Sequence, residues 1–482
     1  MPAPFAGQSF TFFNPDGTEV HVLGWGNQFH ADFETPDGHT VIRDPQTGFY
    51  VYATVSADGS TLAPTGARVG ASKPPALGLA PHLRPTSPPD GRRDALDRGA
   101  QQLSRWEERR QEGAAAGTNR ARAAAFAPAP SGDVVGLCVL VDFPDVAGTI
   151  TRQQIDDFCN LPGYTEFGNN GSVFDYFRDV SEGKLHYRNV VVDYYTAKHD
   201  RSHYTDEGVT YPKRAQQLAL EVLNHLKDTG FNFDQLTTDG KYVYALNIFY
   251  AGVRVNSYQH GLWPHQYHLA IPFDITNAPP PLPGIPPTTP NRLIYDYQIT
   301  NMGSELTLRT FCHENGHMVC NFPDLYDRDD PAQSTGVGNY CLMAYGGIGA
   351  EKDPVAVSGY LKYEAGWATR VRNFDNGDVE TVEAGSNDFL IHRRNDDEYF
   401  LLENRLAFIA GRDSKLPGSG VLIWHVDRQG NNRNEQMLPD MHYELSLEQA
   451  DGLFQMERSA SNYGDSNDPF GPQRGDFGES TV

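Results

Sequence analysis

Long apolar runs are missing from this 482-residue sequence, so no stretch can cross a bilayer as a helix and a transmembrane segment is excluded. Basic residues are scarce too. Thirty-nine Lys and Arg face 62 Asp and Glu, a formal net charge of −23. That balance argues against a nucleic-acid partner, since phosphate binding needs a basic face, and fits solubility and cation binding better. No basic region followed by an apolar core opens the chain at Met1-Pro2-Ala3-Pro4-Phe5, so no secretory signal peptide is visible. Cysteine is rare: five residues do not make a disulfide scaffold, and an odd number leaves at least one thiol unpaired in a monomer. Cys312 and Cys320 sit on one expected helix, a rise of about 12 Å apart, too far to bridge each other. Any disulfide must use Cys138, Cys159 or Cys341. No repeat of fixed period is present, which excludes a solenoid.

What is there divides into regions, since the chain is long for one hydrophobic core. Residues 5–70 read as short strands separated by Asp-Gly turns. A Pro-rich stretch at 74–89 and a charged, Arg-rich helix over 94–112 follow. Residues 123–132, small and Pro-rich without periodicity, have the composition of an exposed linker open to cleavage. The continuous apolar run 134–141 then predicts a central strand covered on both faces. Helical patterns at 173–179 and 212–228 alternate with strand-like segments at 187–195 and 242–250. The proline-dense 272–290 predicts a surface loop before a hairpin-like 292–302. Ser304 is a plausible N-cap for a helix reaching Cys320. Beyond Trp367 the pattern is mostly strands, at 388–393, 399–403 and 421–426.

Within the expected helix lies His313-Glu314-Asn315-Gly316-His317. Residues four apart share a helix face, so the two imidazoles can meet one metal ion while Glu314 sits beside an open coordination position. A zinc ion there would acidify a water and polarise a scissile carbonyl, and Glu314 would act as general base. In a chain with this many histidines the motif would arise by accident roughly once in 40 sequences, so context matters. The context is Asn321-Phe322-Pro323-Asp324-Leu325-Tyr326-Asp327, then Tyr340-Cys341-Leu342-Met343-Ala344-Tyr345-Gly346-Gly347.

With these segments the sequence resembles the immune inhibitor A family of zinc metallopeptidases, a branch of the metzincins. That family's motif runs His-Glu-x-x-His-x-x-Gly-x-Pro-Asp with a Tyr-Asp pair soon after. Cys320 stands where the family usually has glycine, and one extra residue sets Pro323-Asp324 a position later. The resemblance implies zinc ligands His313, His317 and Asp324, with Asp327 as the fallback third ligand. It also implies an apolar floor at Met343 and a tyrosine, Tyr345, that steadies the tetrahedral oxyanion. A plain core tyrosine is the competing reading of Tyr345. Further similar segments are Gly171-Ser172-Val173-Phe174-Asp175-Tyr176-Phe177, Leu262-Trp263-Pro264-His265 and Leu416-Pro417-Gly418-Ser419-Gly420-Val421. His265 and His425 read as structural histidines. Asp329 and Asp330, 450–452 and 465–468 are candidate Ca2+ sites.

The resemblance extends to residues before the linker, notably 28–41, which are similar to the family's propeptide. It implies a secreted zymogen. With no cysteine in residues 1–137, latency cannot come from a thiolate in cis, leaving a carboxylate or a steric blockade. The expected architecture is α+β: a propeptide-like β unit with a connector helix over 1–127, and a metzincin-like catalytic domain with a mixed twisted sheet and active-site helix over 133–367. A β-rich C-terminal portion covers 368–482. The expected activity is that of a monomeric zinc endopeptidase taking a protein or peptide substrate extended along an edge strand. Two alternatives stand beside it: a zinc peptidase whose third ligand is Glu364, and a non-catalytic protein that holds zinc for stability.

Overall fold

The structure is a computed structural model describing residues 3–26, 31–71, 74–85, 129–276, 291–327, 334–407, 411–430 and 442–471. The expected connector helix 94–112, most of the linker, residues 277–290, and Asp329 and Asp330 lie outside the described residues. The fold is mixed α+β, built on three sheets. Among the described residues no helix is long and apolar enough to cross a membrane.

The first sheet is an antiparallel meander of six strands in chain order: β1 (Phe5–Phe13), β2 (Glu19–Gly26), β3 (Ala31–Glu34), β4 (Thr40–Arg43), β5 (Tyr50–Val55) and β6 (Leu62–Arg68). The Asp-Gly pairs make its turns: Asp16 accepts from Thr18 N–H and Asp58 from Ser60 N–H, both at 3.1 Å. Alternation buries Phe10, Phe12, Val20 and Val22 on one face. That face is completed from outside the sheet, by Trp263, whose ring packs against Phe5, Phe10 and Phe33.

The second sheet has the order β10-β11-β9-β7-β8. Its strands are β7 (Gly132–Asp142), β8 (Leu185–Thr196), β9 (Leu246–Ala251), β10 (His265–Asp274) and β11 (Leu293–Met302). β7 pairs in parallel with β8 and β9, and β9 with β11, while β10 runs antiparallel at the edge. Residues Leu137 to Val141 have no exposed surface, as the apolar run requires. β10 moves the start of the loop expected at 272–290, because Pro272 ends up within a strand that runs to Asp274. It is tolerated where the β10–β11 register breaks between His268 and Phe273, on a strand with only one neighbour.

Helices α1 (Arg152–Asn160), α2 (Val173–Val180), α3 (Arg201–Tyr204) and α4 (Lys213–Asp228) accompany this sheet. Thr151 and Ser172 begin α1 and α2 with reciprocal capping boxes. Helix α5 (Leu308–Cys320) follows β11. It starts later than the Ser304 cap implied: Thr307 holds the N-cap position in an extended conformation, and buried Leu306 is spent on the core ahead of the helix. α6 (Gly359–Glu364) leads to the third sheet, in chain order β12 (Arg370–Asn373), β13 (Asp388–Arg393), β14 (Glu398–Arg405), β15 (Gly420–Asp427) and β16 (Leu445–Glu448), with α7 (Gln455–Arg458) beyond it. One continuous cluster of buried side chains joins Phe311, Cys312 and Met343 to Trp367, Leu401 and Trp424, so the third sheet shares the core that supports α5. All five cysteines are buried and free.

Candidate metal centre

Helix α5 is buried on every side, and its two histidines lie one turn apart on one face. No glycine ends it. Asn321 takes the left-handed conformation at φ +64° and its N–H reaches back to His317 O at 3.0 Å. Asn is one of the few residues that accept this geometry at small cost. The reversal returns the chain beneath the helix, and two things follow. Phe322 C=O accepts from His317 Nδ1–H at 2.6 Å, and the Asp324 carboxylate comes back to the histidines.

Asp324 Oδ1 lies 3.2 Å from His313 Nε2 and 3.1 Å from His317 Nε2, and the two Nε2 atoms are 3.2 Å apart. His313 Nδ1–H donates to Leu342 C=O at 3.0 Å. With both Nδ1 atoms engaged by carbonyls, both Nε2 atoms turn lone pairs toward the carboxylate oxygen. A tetrahedral ion with bonds of 2.0–2.2 Å would hold its ligand atoms about 3.3 Å apart, close to the triangle seen. His313, His317 and Asp324 therefore form a buried group that can bind a metal ion. Burial lowers the His317 pKa but Asp324 more than offsets it, and burial raises Asp324 while the two imidazoles hold it well below its ordinary value.

Glu314 is 1% exposed, and neither carboxylate oxygen has a hydrogen-bond partner among the described residues. Burial raises its pKa, against the opposing influence of His313 and His317. An unpartnered buried carboxylate costs about 1–3 kcal/mol or more, which calls for a use. Tyr211, in the loop before α4, brings a phenol to this neighbourhood. Burial drives its pKa well up and the nearby Glu314 adds to the effect.

The turn 341–346 frames the site from below. Leu342 C=O holds His313, and Met343 C=O accepts from Leu325 N–H at 2.8 Å, next to Asp324. Met343 presses its sulfur on α5 at Gly316, where an added Cβ would come within 2.7 Å of Sδ. Tyr345 is not among the groups brought together: its ring contacts run to Tyr326 and Tyr463 rather than to the triad. Asp327 is anchored elsewhere, accepting from Ser334 N–H at 2.9 Å. Glu364 is bound to Arg428 and Tyr399, so the structure does not bring it to the histidines. His265 is buried with Nδ1–H donated to Trp263 C=O at 2.6 Å and Nε2 accepting from Tyr297 OH at 3.0 Å. Burial pushes its pKa down to about 3.

Sequence reasoning missed the two carbonyls that orient the imidazoles, since a backbone acceptor leaves no mark on residue type. It also missed Arg309, in the first turn of α5, whose guanidinium donates to Pro4 C=O at 2.8 Å and to Glu351 at 2.9 Å. Residues Ala6 to Ser9 of β1 wall a cleft of about 1130 Å³ together with Thr307, Arg309 and Tyr345. No model of a known protein family matches the chain, and no curated protein matches it.

Proposed function

We propose that this protein is a zinc-dependent endopeptidase of the metzincin type, similar to the immune inhibitor A family. The observation that carries the reading is the pairing of a three-atom acceptor triangle, His313, His317 and Asp324, with the carboxylate of Glu314 one residue away, which has no hydrogen-bond partner among the described residues. A protein using metal for stability alone has no need of that carboxylate. A zinc ion held by the three side chains would supply a Lewis acid for a water and a peptide carbonyl.

The remaining roles belong to the chain. Glu314 takes a proton from the attacking water at a carboxylate oxygen and returns it to the leaving amine. Burial raises its proton affinity, which favours the second of these transfers. Leu342 and Phe322 carbonyls keep the imidazoles oriented. The antiparallel strand β10 closes one side of its sheet, an edge along which an extended peptide can lie. For Tyr345 to donate to an oxyanion its ring must leave Tyr463 and Tyr326.

Synthesis as a zymogen with a steric blockade fits the N-terminal sheet. That sheet grips the catalytic unit through Trp263, through Arg309, and through the Arg43–Glu207 ion pair at 2.9 Å. The test is zinc content by elemental analysis on the wild type and Glu314→Ala, with casein hydrolysis before and after cleavage within 123–132. About one zinc in both proteins, with hydrolysis only by cleaved wild type, supports the reading. Zinc in both with no hydrolysis after cleavage assigns the metal to structure instead.

A further inference from the structure

Helix α5 carries the two imidazoles, so its rotation about its own axis sets where both ring nitrogens lie. Twelve of its thirteen residues are buried, so it has no wet face to orient it. Rotation matters at this site. A ring nitrogen roughly 6–7 Å from the axis moves about 1 Å for a turn of 10°, whereas metal ligands tolerate about 0.2 Å.

Asn315 lies about 200° round the helix from each histidine, on the opposite face. Its Oδ1 accepts from Tyr187 OH at 2.6 Å, and its Nδ2 donates to Asn247 Oδ1 at 3.0 Å and to Phe311 C=O at 2.8 Å. Asn247 Nδ2 donates in turn to Tyr187 OH at 3.0 Å and to Asn189 Oδ1 at 2.8 Å, and Gln298 Nε2 donates to Asn247 Oδ1. These side chains come from β8, β9 and β11 and are all buried. Between β8 and β9 runs β7, which carries Gly136 at this level. A Cβ there would come within 2.9 Å of Tyr187 OH and 3.1 Å of Asn189 Oδ1. This interior strand thus gives up a side chain to leave room for the polar group.

We infer that Tyr187, Asn247 and Asn315, in the space left by Gly136, are positioning residues that set the rotation of α5 and so the geometry of the His313-His317-Asp324 centre. The inference rests on the metal reading above. Directional hydrogen bonds add here to the apolar contacts, since a slipped helix would leave several buried amides unpaired at once.

The test replaces the metal by Co2+ in the full chain and follows its visible absorption spectrum, its affinity and the melting temperature. Tyr187→Phe and Gly136→Ala are compared with Tyr176→Phe, which removes a hydroxyl donating to Val355 C=O at 2.9 Å in the same core. Tyr187→Phe and Gly136→Ala are expected to shift the cobalt bands and weaken affinity about 10- to 100-fold. Tyr176→Phe lowers the melting temperature with the spectrum unchanged. Wild-type spectra and affinity in Tyr187→Phe and Gly136→Ala, with melting temperatures lowered as in Tyr176→Phe, would overturn the positioning role alone. Failure of the wild type to bind cobalt or zinc would overturn that role and the metal reading together.

Discussion

Two places in the described structure gather three potential ligand groups: His313, His317 and Asp324 in one, Asp451, Asp465 and Asp468 in the other. They differ in how their charges and lone pairs are met. In the first, two imidazoles have their Nδ1–H groups committed to carbonyls and aim Nε2 lone pairs at one carboxylate oxygen, an arrangement a cation resolves. In the second, local turns already supply donors. Asp451 accepts from Leu453 N–H, Asp465 from Asn467 N–H, and Asp468 from Asp465 N–H and Tyr340 OH. Two of its three members are partly exposed, and burial lifts the Asp468 pKa to about 6, so a proton can relieve the repulsion. Nearness of acids is common; converging acceptors with their other atoms already engaged are not.

The contrast breaks most sharply through metal counts. His317→Ala is expected to take bound zinc from about one per chain to none and to abolish hydrolysis, whereas Asp465→Asn leaves the count unchanged. Elemental analysis of dialysed protein decides, and a second equivalent lost with Asp465→Asn would put the two clusters on equal footing. Next in size is Glu314→Gln, which should keep the metal and lower kcat about 10²- to 10⁴-fold. An unchanged kcat would remove Glu314 from the chemistry.

Much of this site was legible because its determinants are side-chain types at helical spacing. His313, Glu314 and His317 announce themselves, and the resemblance put Asp324 ahead of Asp327 as the third ligand. What the sequence did not carry is the turn itself: the left-handed Asn321 returns Asp324 to the histidines, while Asp327 accepts from Ser334 N–H. The strand β7 was readable because burial on both faces erases alternation. β10 was not, because Pro272 reads as a breaker and only an edge position with a register break accommodates it. The same limit hid the network behind α5. Asn315 and Asn247 are polar residues in otherwise buried elements, and only tertiary structure makes them partners.

Asn321 offers a smaller and more local test of why the two clusters differ. It alone supplies the left-handed residue that carries Asp324 back to the histidines. Asn321→Ala forces a Cβ without polar compensation into that conformation and should destabilise by roughly 1–2 kcal/mol. Asn321→Gly should be neutral or mildly stabilising. Urea unfolding of the zinc-free protein isolates the backbone effect. Equal losses for both variants would mean that the Asn side chain, rather than its backbone conformation, makes the turn.

The smallest effect concerns acids that a proton, not a cation, should relieve. Glu448, on β16, and Glu457, on α7, have pKa values raised by burial to about 7 and about 8, and the neighbouring Glu448 carboxylate pushes Glu457 further up. Both lie above the value of an unfolded glutamate, about 4.3. The folded chain therefore holds more protons than the unfolded one between about pH 4.3 and pH 8, and stability falls as pH rises through that window. Every tenfold difference in proton affinity between the folded and unfolded chain is worth about 1.4 kcal/mol once the group is ionised. Glu457→Gln removes the charge and should raise the melting temperature at about pH 9 while changing little near pH 4, where wild-type Glu457 is already protonated when folded. The same gain at both pH values would assign the effect to packing. A gain at pH 9 that disappears on adding Ca2+ would show that a cation can replace the proton there, and the contrast with the His313-His317-Asp324 centre would fail.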